Sequence, residues 1–182
     1  MRSRRGLAAL LALPLVAACA APLAPAPSRP RPTPPPARPA AAPPFRLAAL
    51  AGEGDAARRA SVRLVLDGLE ADQAGDAAGA TTLYQRALQV DPANPYAYLA
   101  LARSQLERGD PARALSFLDK AEALLSAQRA RDPSVEALIV GMRAEALGDT
   151  GREQEAAPLR ARARALAPKT WSDGRLDAAE LR

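Results

Sequence analysis

Apolar residues return at helical intervals along most of the chain. Val62, Val65, Leu66 and Leu69 fall at i, i+3, i+4 and i+7, which places them on one face of a helix. After Gly75-Asp76 the pattern restarts with Ala80, Leu83, Tyr84, Ala87 and Leu88. It stops at Asp91-Pro92, because proline steers the residue before it out of the helical region. A matching pair follows: Tyr98, Leu101, Ala102 and Leu106, a break at Gly109-Asp110-Pro111, then Ala114, Phe117, Leu118, Ala121 and Leu124. No intervening run alternates with the period of a strand. The prediction is an all-α chain built from antiparallel helix pairs.

Superposing Gly75 on Gly109 gives an offset of 34 residues. The same offset carries Leu64 onto Tyr98, Gly68 onto Ala102, Ala80 onto Ala114 and Ala87 onto Ala121. Small residues at such places let the two helices of a pair approach closely, and the large ones fill the gap to the next pair. A period of this length is the mark of a stacked repeat array. The pattern resembles the tetratricopeptide repeat, with a large residue at position 4 (Leu64, Tyr98) and a small one at position 8 (Gly68, Ala102). Alanine stands at positions 20 (Ala80, Ala114) and 27 (Ala87, Ala121), a large residue at 24 (Tyr84, Leu118) and proline at 32 (Pro92).

Two departures stand out: Asp67 occupies position 7 of the first repeat, where leucine is usual, and Ser126 replaces the proline of the second. The second helix of that repeat is predicted to run through Gln128 toward Asp132-Pro133, longer than standard. A third repeat is read from about Ala137 to Pro168, with Val140, Ala144, Gly151, Ala156 and Ala163 at positions 4, 8, 15, 20 and 27. Gly148-Asp149 offers a second register for its inter-helix turn. The resemblance covers residues 61–168 and implies a helical solenoid of about three helix pairs with flanking helices. An unrelated antiparallel bundle is the alternative.

Residues 45–60 form a flank or an extension of the first helix, with Phe45, Leu47 and Leu50 placed to dock on the first repeat and Asp55 to cap a lengthened helix. Residues 169–182 are expected to form a capping helix, started by Ser172 or Asp173 and carrying Leu176, Ala179 and Leu181. Repeat arrays need such end caps. Trp171 reads as a hydrophobic plug for that cap or as a functional residue.

The beginning of the chain follows different rules. Arg2, Arg4 and Arg5 precede an apolar run from Gly6 to Ala18, the layout of a secretory signal. The run is too short to span a membrane, which takes about 20 residues as a helix. It ends in Leu15-Val16-Ala17-Ala18-Cys19, which resembles the bacterial lipobox. The resemblance implies a signal peptide over 1–18, lipidation of Cys19, and, with Ala20 following instead of aspartate, an outer-membrane anchor facing the periplasm. A plain secretory peptide is the alternative. Residues 19–44 contain 11 prolines and 8 alanines in 26 positions. Proline blocks both helix and sheet, so this stretch is predicted to be a polyproline-type tether reaching on the order of 80 Å.

Charge and chemistry narrow the function. Six of the 25 basic residues lie before residue 45, and the 19 that remain face 20 acidic ones, so the helical part is close to neutral. A nucleic-acid surface needs a basic face with stacking aromatics, and this composition offers little of either. The chain has no histidine and one cysteine, which excludes imidazole-based triads, a CxxC redox pair and thiolate zinc sites. Gly52-Glu53-Gly54 has Ala57 where a dinucleotide loop needs its third glycine. Arg160, Arg162 and Arg164 alternate along a helix and so spread around its axis, a pattern of solubility before one of acidic-partner or phospholipid binding.

No cofactor, metal or catalytic residue is expected. The reading is a lipid-anchored adaptor that binds another envelope protein or peptide in a secretion, pilus or cell-wall assembly, with the membrane reached through the lipid. A structural spacer and a cell-wall enzyme without a visible motif are the alternatives. In the tetratricopeptide family, positions 2, 5, 9, 12 and 13 face a concave groove. The resemblance therefore implies a partner site at Tyr96, Leu99, Arg103, Leu106 and Glu107. Residues 45–60 are placed to cover the first-repeat end of that groove, and packing of Tyr96 with a solvated Arg103 is the competing reading.

Overall fold

The first five α-helices each start where a short polar side chain takes up an orphan backbone N–H group. The computed structural model describes residues 43–130 and 132–182. The expectations for residues 1–42, including Cys19, lie outside the described residues. A 3₁₀ turn at Leu47–Leu50 comes first, then α1 (Ala56–Gln73), which begins five residues ahead of the first periodic position, Ser61. Its start is set by Asp55, whose carboxylate accepts from the Arg58 N–H at 2.8 Å. α2 (Ala77–Val90), α3 (Pro95–Glu107) and α4 (Pro111–Ala127) are capped in the same way by Asp76, Asn94 and Asp110. Asp132 caps α5 (Pro133–Asp149), and α6 (Glu153–Leu166) follows. The last element, α7 (Ala178–Leu181), is a single turn.

The turns inside the three pairs repeat one geometry. Gly75, Gly109 and Gly151 all have φ between 73° and 86°, a left-handed conformation that glycine adopts without a steric penalty. In each turn the residue after the glycine donates to a carbonyl five residues back: Asp76 to Ala71, Asp110 to Gln105 and Arg152 to Leu147. Gly151 is thus the turn glycine of the third pair, and Gly148 is the last-turn helical residue before it. The Gly148-Asp149 register is set aside. The spacing from Gly109 to Gly151 exceeds 34 because α4 runs on to Ala127 and a loop precedes Asp132.

Pairing follows the small residues. α1 packs on α2, α3 on α4 and α5 on α6, while α1, α3 and α5 also touch in sequence to form one row. Ala80, Ala87, Ala114, Ala121, Ala156 and Ala163 are all buried. Gly68 lies under Tyr84 so closely that a Cβ there would stand 2.4 Å from the ring. Among the described residues there is no strand, and the fold is an all-α helical repeat. A short polar chain ties the first pair to the second: Asn94 Nδ2 donates to Ser61 Oγ at 2.8 Å, and Ser61 Oγ donates to the Ala87 carbonyl at 2.7 Å.

The end of the chain departs from expectation. Residues 167–177 form no helix, and the capping turn starts at Asp177, not at Ser172 or Asp173. The Asp177 N–H donates to the Glu180 carboxylate at 3.0 Å. Leu176 and Leu181 are buried, as is Ala178 in place of Ala179. The physical reason is the route of the segment. It does not extend the array as a further helix but folds back across the row of α1, α3 and α5.

Candidate functional site: the face of the first helices

The face lined by α1, α3 and α5 is filled by the chain's own flanks. Phe45 stacks on Tyr96 with ring centroids 5.5 Å apart and 23° between planes. Leu47 is fully buried against the same end. From the other side, Trp171 sits against Gly141 of α5, where an added Cβ would lie 2.0 Å from its ring. Arg175 reaches Glu145 of α5 at 3.7 Å, α7 lies on α3 and α1, and Arg182 reaches Glu70 of α1 at 3.2 Å. The two flanks meet where the Ala48 N–H donates to the Arg182 carbonyl at 2.9 Å.

This arrangement corrects the groove reading. Of the five predicted residues only Glu107 is exposed, and Tyr96 is half-buried under Phe45. Leu99, Arg103 and Leu106 are buried. Residues 45–50 cover the first-repeat end, as the sequence allowed, but the segment from Trp171 covers the rest. Leu99 thus packs inside the molecule instead of forming an open apolar floor.

Arg103 is neither solvated nor available to a ligand. Its guanidinium is 2% exposed and pairs with Asp72, itself 4% exposed, and with Glu107. Tyr84 Oη donates to the same Asp72 oxygen at 2.8 Å. Burial, and then the Asp72 carboxylate, hold the Tyr84 hydroxyl well above its ordinary value, so it remains a donor. Arg103 Nε has no partner among the described residues. The cluster joins α1, α2 and α3 through charge, and its chemistry is structural.

Two residues on this face were missed by sequence reasoning. Gly141 and Glu145 occupy positions 5 and 9 of the third repeat, equivalent to Leu99 and Arg103, so extending the position list to that repeat would have found them. Burial pushes the Glu145 carboxyl up from 4.5 to about 7, with Arg175 opposing and Asp149, Glu107 and Asp173 adding to the rise. Because the folded value lies above the unfolded one, the carboxyl's favourable contribution is present below about pH 4.5 and is lost as pH rises toward 7. Glu145→Gln should match the parent near about pH 4 and exceed it near about pH 8, by on the order of 1 kcal/mol after screening by Arg175. Thermal melts across that range check the sign.

Elsewhere the surface has a cavity of about 370 Å³ between the end of α4 and the start of α5, lined by Leu125, Val135 and Ile139 among others. Among the described residues no three metal-ligating side chains cluster, and no helix is long and apolar enough to cross a membrane.

Comparison with known proteins agrees with this architecture. Residues 73–123 match the tetratricopeptide repeat family model, a span running from the end of α1 into α4. No curated protein matches the chain. The matched stretch is tetratricopeptide repeat within an all-α helical repeat fold, and repeats of this kind support protein–protein interaction.

Proposed function

We propose that this tetratricopeptide-repeat chain is a non-catalytic adaptor of the bacterial cell envelope, held by lipid at Cys19 and binding another envelope protein with its repeat array. The observation that carries the binding half is the stack of three helix pairs, whose middle stretch matches the tetratricopeptide repeat. The anchoring half rests on sequence: the positive start, the apolar run to Ala18, and the chain's one cysteine directly after Val16-Ala17-Ala18. Burial of acyl methylenes, about 0.8 kcal/mol each, would hold the chain at the membrane, and more than one acyl chain is needed for stable anchoring. The Pro/Ala-rich stretch after Cys19 would then carry the array away from the bilayer. Ala20 favours the outer membrane, and the partners are secretion, pilus or cell-wall components facing the periplasm.

The anchor is tested by Cys19→Ala. The variant should leave the membrane fraction, and mass spectrometry of the parent should show an acylated Cys19. An unmodified Cys19 in membrane-bound parent protein refutes lipidation. The adaptor reading is tested by crosslinking in intact cells followed by mass spectrometry. A dominant envelope protein supports it, and recovery of the chain alone sinks it.

A further inference from the structure

We propose that Trp171–Arg182 is an exchangeable internal ligand of the face formed by α1, α3 and α5. That face accepts a partner segment carrying an aromatic residue and then two leucines at five-residue steps, with a basic residue just before the first leucine. The proposal rests on the protein-binding reading of the array and names its surface and the segment that fits it.

The strap is held as bound peptides are held. Trp171, Leu176 and Leu181 are its buried anchors, and Ser172, Asp173, Arg175, Asp177 and Ala179 between them are exposed. A few desolvated anchors separated by solvated spacers is the usual anatomy of peptide recognition. Only one turn of the segment is helical, so it brings little local structure of its own. The face is shaped for it: Gly141 stands where the equivalent positions carry Val65 and Leu99, and the missing side chain makes the notch that the indole fills.

The ion pairs that hold it, by contrast, are loose. Arg175 is 77% exposed and only 3.7 Å from Glu145, and Arg182 and Glu70 are both exposed. The buried Trp171 indole N–H has no acceptor among the described residues. Two backbone carbonyls of the strap are also bonded, Trp171 O accepting from Arg164 Nε at 3.3 Å and Arg182 O from the Ala48 N–H at 2.9 Å, so an incoming chain that repeats the anchors has these few bonds to replace when it takes the strap's place. Charge selects the basic residue: Arg175 pairs with Glu145 on α5, in a surface hollow whose carboxylates Asp149 and Glu153 stand alongside Arg160 and Arg164. A lysine or arginine on the partner would take the place of Arg175 opposite Glu145.

The test uses the full chain with Leu176→Asp/Leu181→Asp, which places charge where the strap is buried and leaves the face intact. A labelled synthetic peptide of residues 168–182 is the probe. Trp171 is the chain's one tryptophan, so its emission reports strap release. The variant should keep its helical circular dichroism, shift its emission to the red, and bind the peptide at least tenfold tighter than the parent does. A peptide with Trp171→Ala should lose at least tenfold in affinity. Loss of helix in the variant overturns the proposal, because the segment would then be inseparable core. A folded, red-shifted variant that binds the peptide no better than the parent, or that ignores the Trp171→Ala change, also overturns it. So does an unshifted emission, since the strap would then not leave the face. None of these failures touches the crosslinking result, which tests the adaptor reading by itself.

Discussion

Asp72→Ala is expected to lower the unfolding free energy by about 3 kcal/mol, because it leaves the Arg103 guanidinium buried with one partner removed. Glu107 still accompanies Arg103, which keeps the loss at the lower end for a broken buried pair. Tyr84 Oη loses its acceptor as well. Removing the charge from both sides should reverse most of this: Asp72→Ala/Arg103→Met is expected within about 1 kcal/mol of the parent, since replacing a whole buried pair by apolar groups is often neutral. Urea melts of the two single variants and the double variant complete the cycle. A double variant as unstable as Asp72→Ala would show that the charges are not coupled and that Arg103 owes its place to packing.

That cluster also marks where the sequence stopped being legible. Helix limits were readable because each signal is local: Asp55, Asp76 and Asp110 cap the helix that follows them, and proline stands at the first position of α3, α4 and α5. The repeat was readable because Gly75 and Gly109 set equivalent turns and alanines sit at equal distances from them. Arg103 read as groove-facing because the repeat pattern alone speaks of one helix at a time. Its partner Asp72 lies 31 residues earlier, and only the packing of α1 against α3 brings them together.

The filled face was harder still. Residues 169–182 carry Trp171, Leu176 and Leu181 at steps of five, which fits neither the helical nor the strand period, so the capping helix expected there is realised only in its last turn. The match between Trp171 and Gly141 is a matter of shape across 30 residues of chain. A glycine in the middle of a helix costs about 1 kcal/mol relative to alanine, so its presence in α5 was a signal that something approaches closely there. The same argument applies to Gly68 in α1, and there the repeat pattern already demanded a small residue.

These two glycines separate the array from its strap in a single comparison. Gly68→Leu should destabilise the protein by about 3 kcal/mol, at the upper end for overpacking. The new Cβ would stand 2.4 Å from the Tyr84 ring, and that ring cannot turn aside without breaking its bond to Asp72. The clash lies between α1 and α2, the two helices of the first pair, so the loss should appear as a lower midpoint of the whole helical transition. Gly141→Ala introduces a smaller side chain into a tighter contact, 2.0 Å from the Trp171 ring. Here the obstructing group belongs to a segment with one helical turn, and the lower-energy response is for the strap to leave. The expected result is a red shift of Trp171 emission with the helical transition displaced much less than in Gly68→Leu. Equal losses of midpoint in the two variants would place Trp171 in the same cooperative unit as the helix pairs and rule out its separate release.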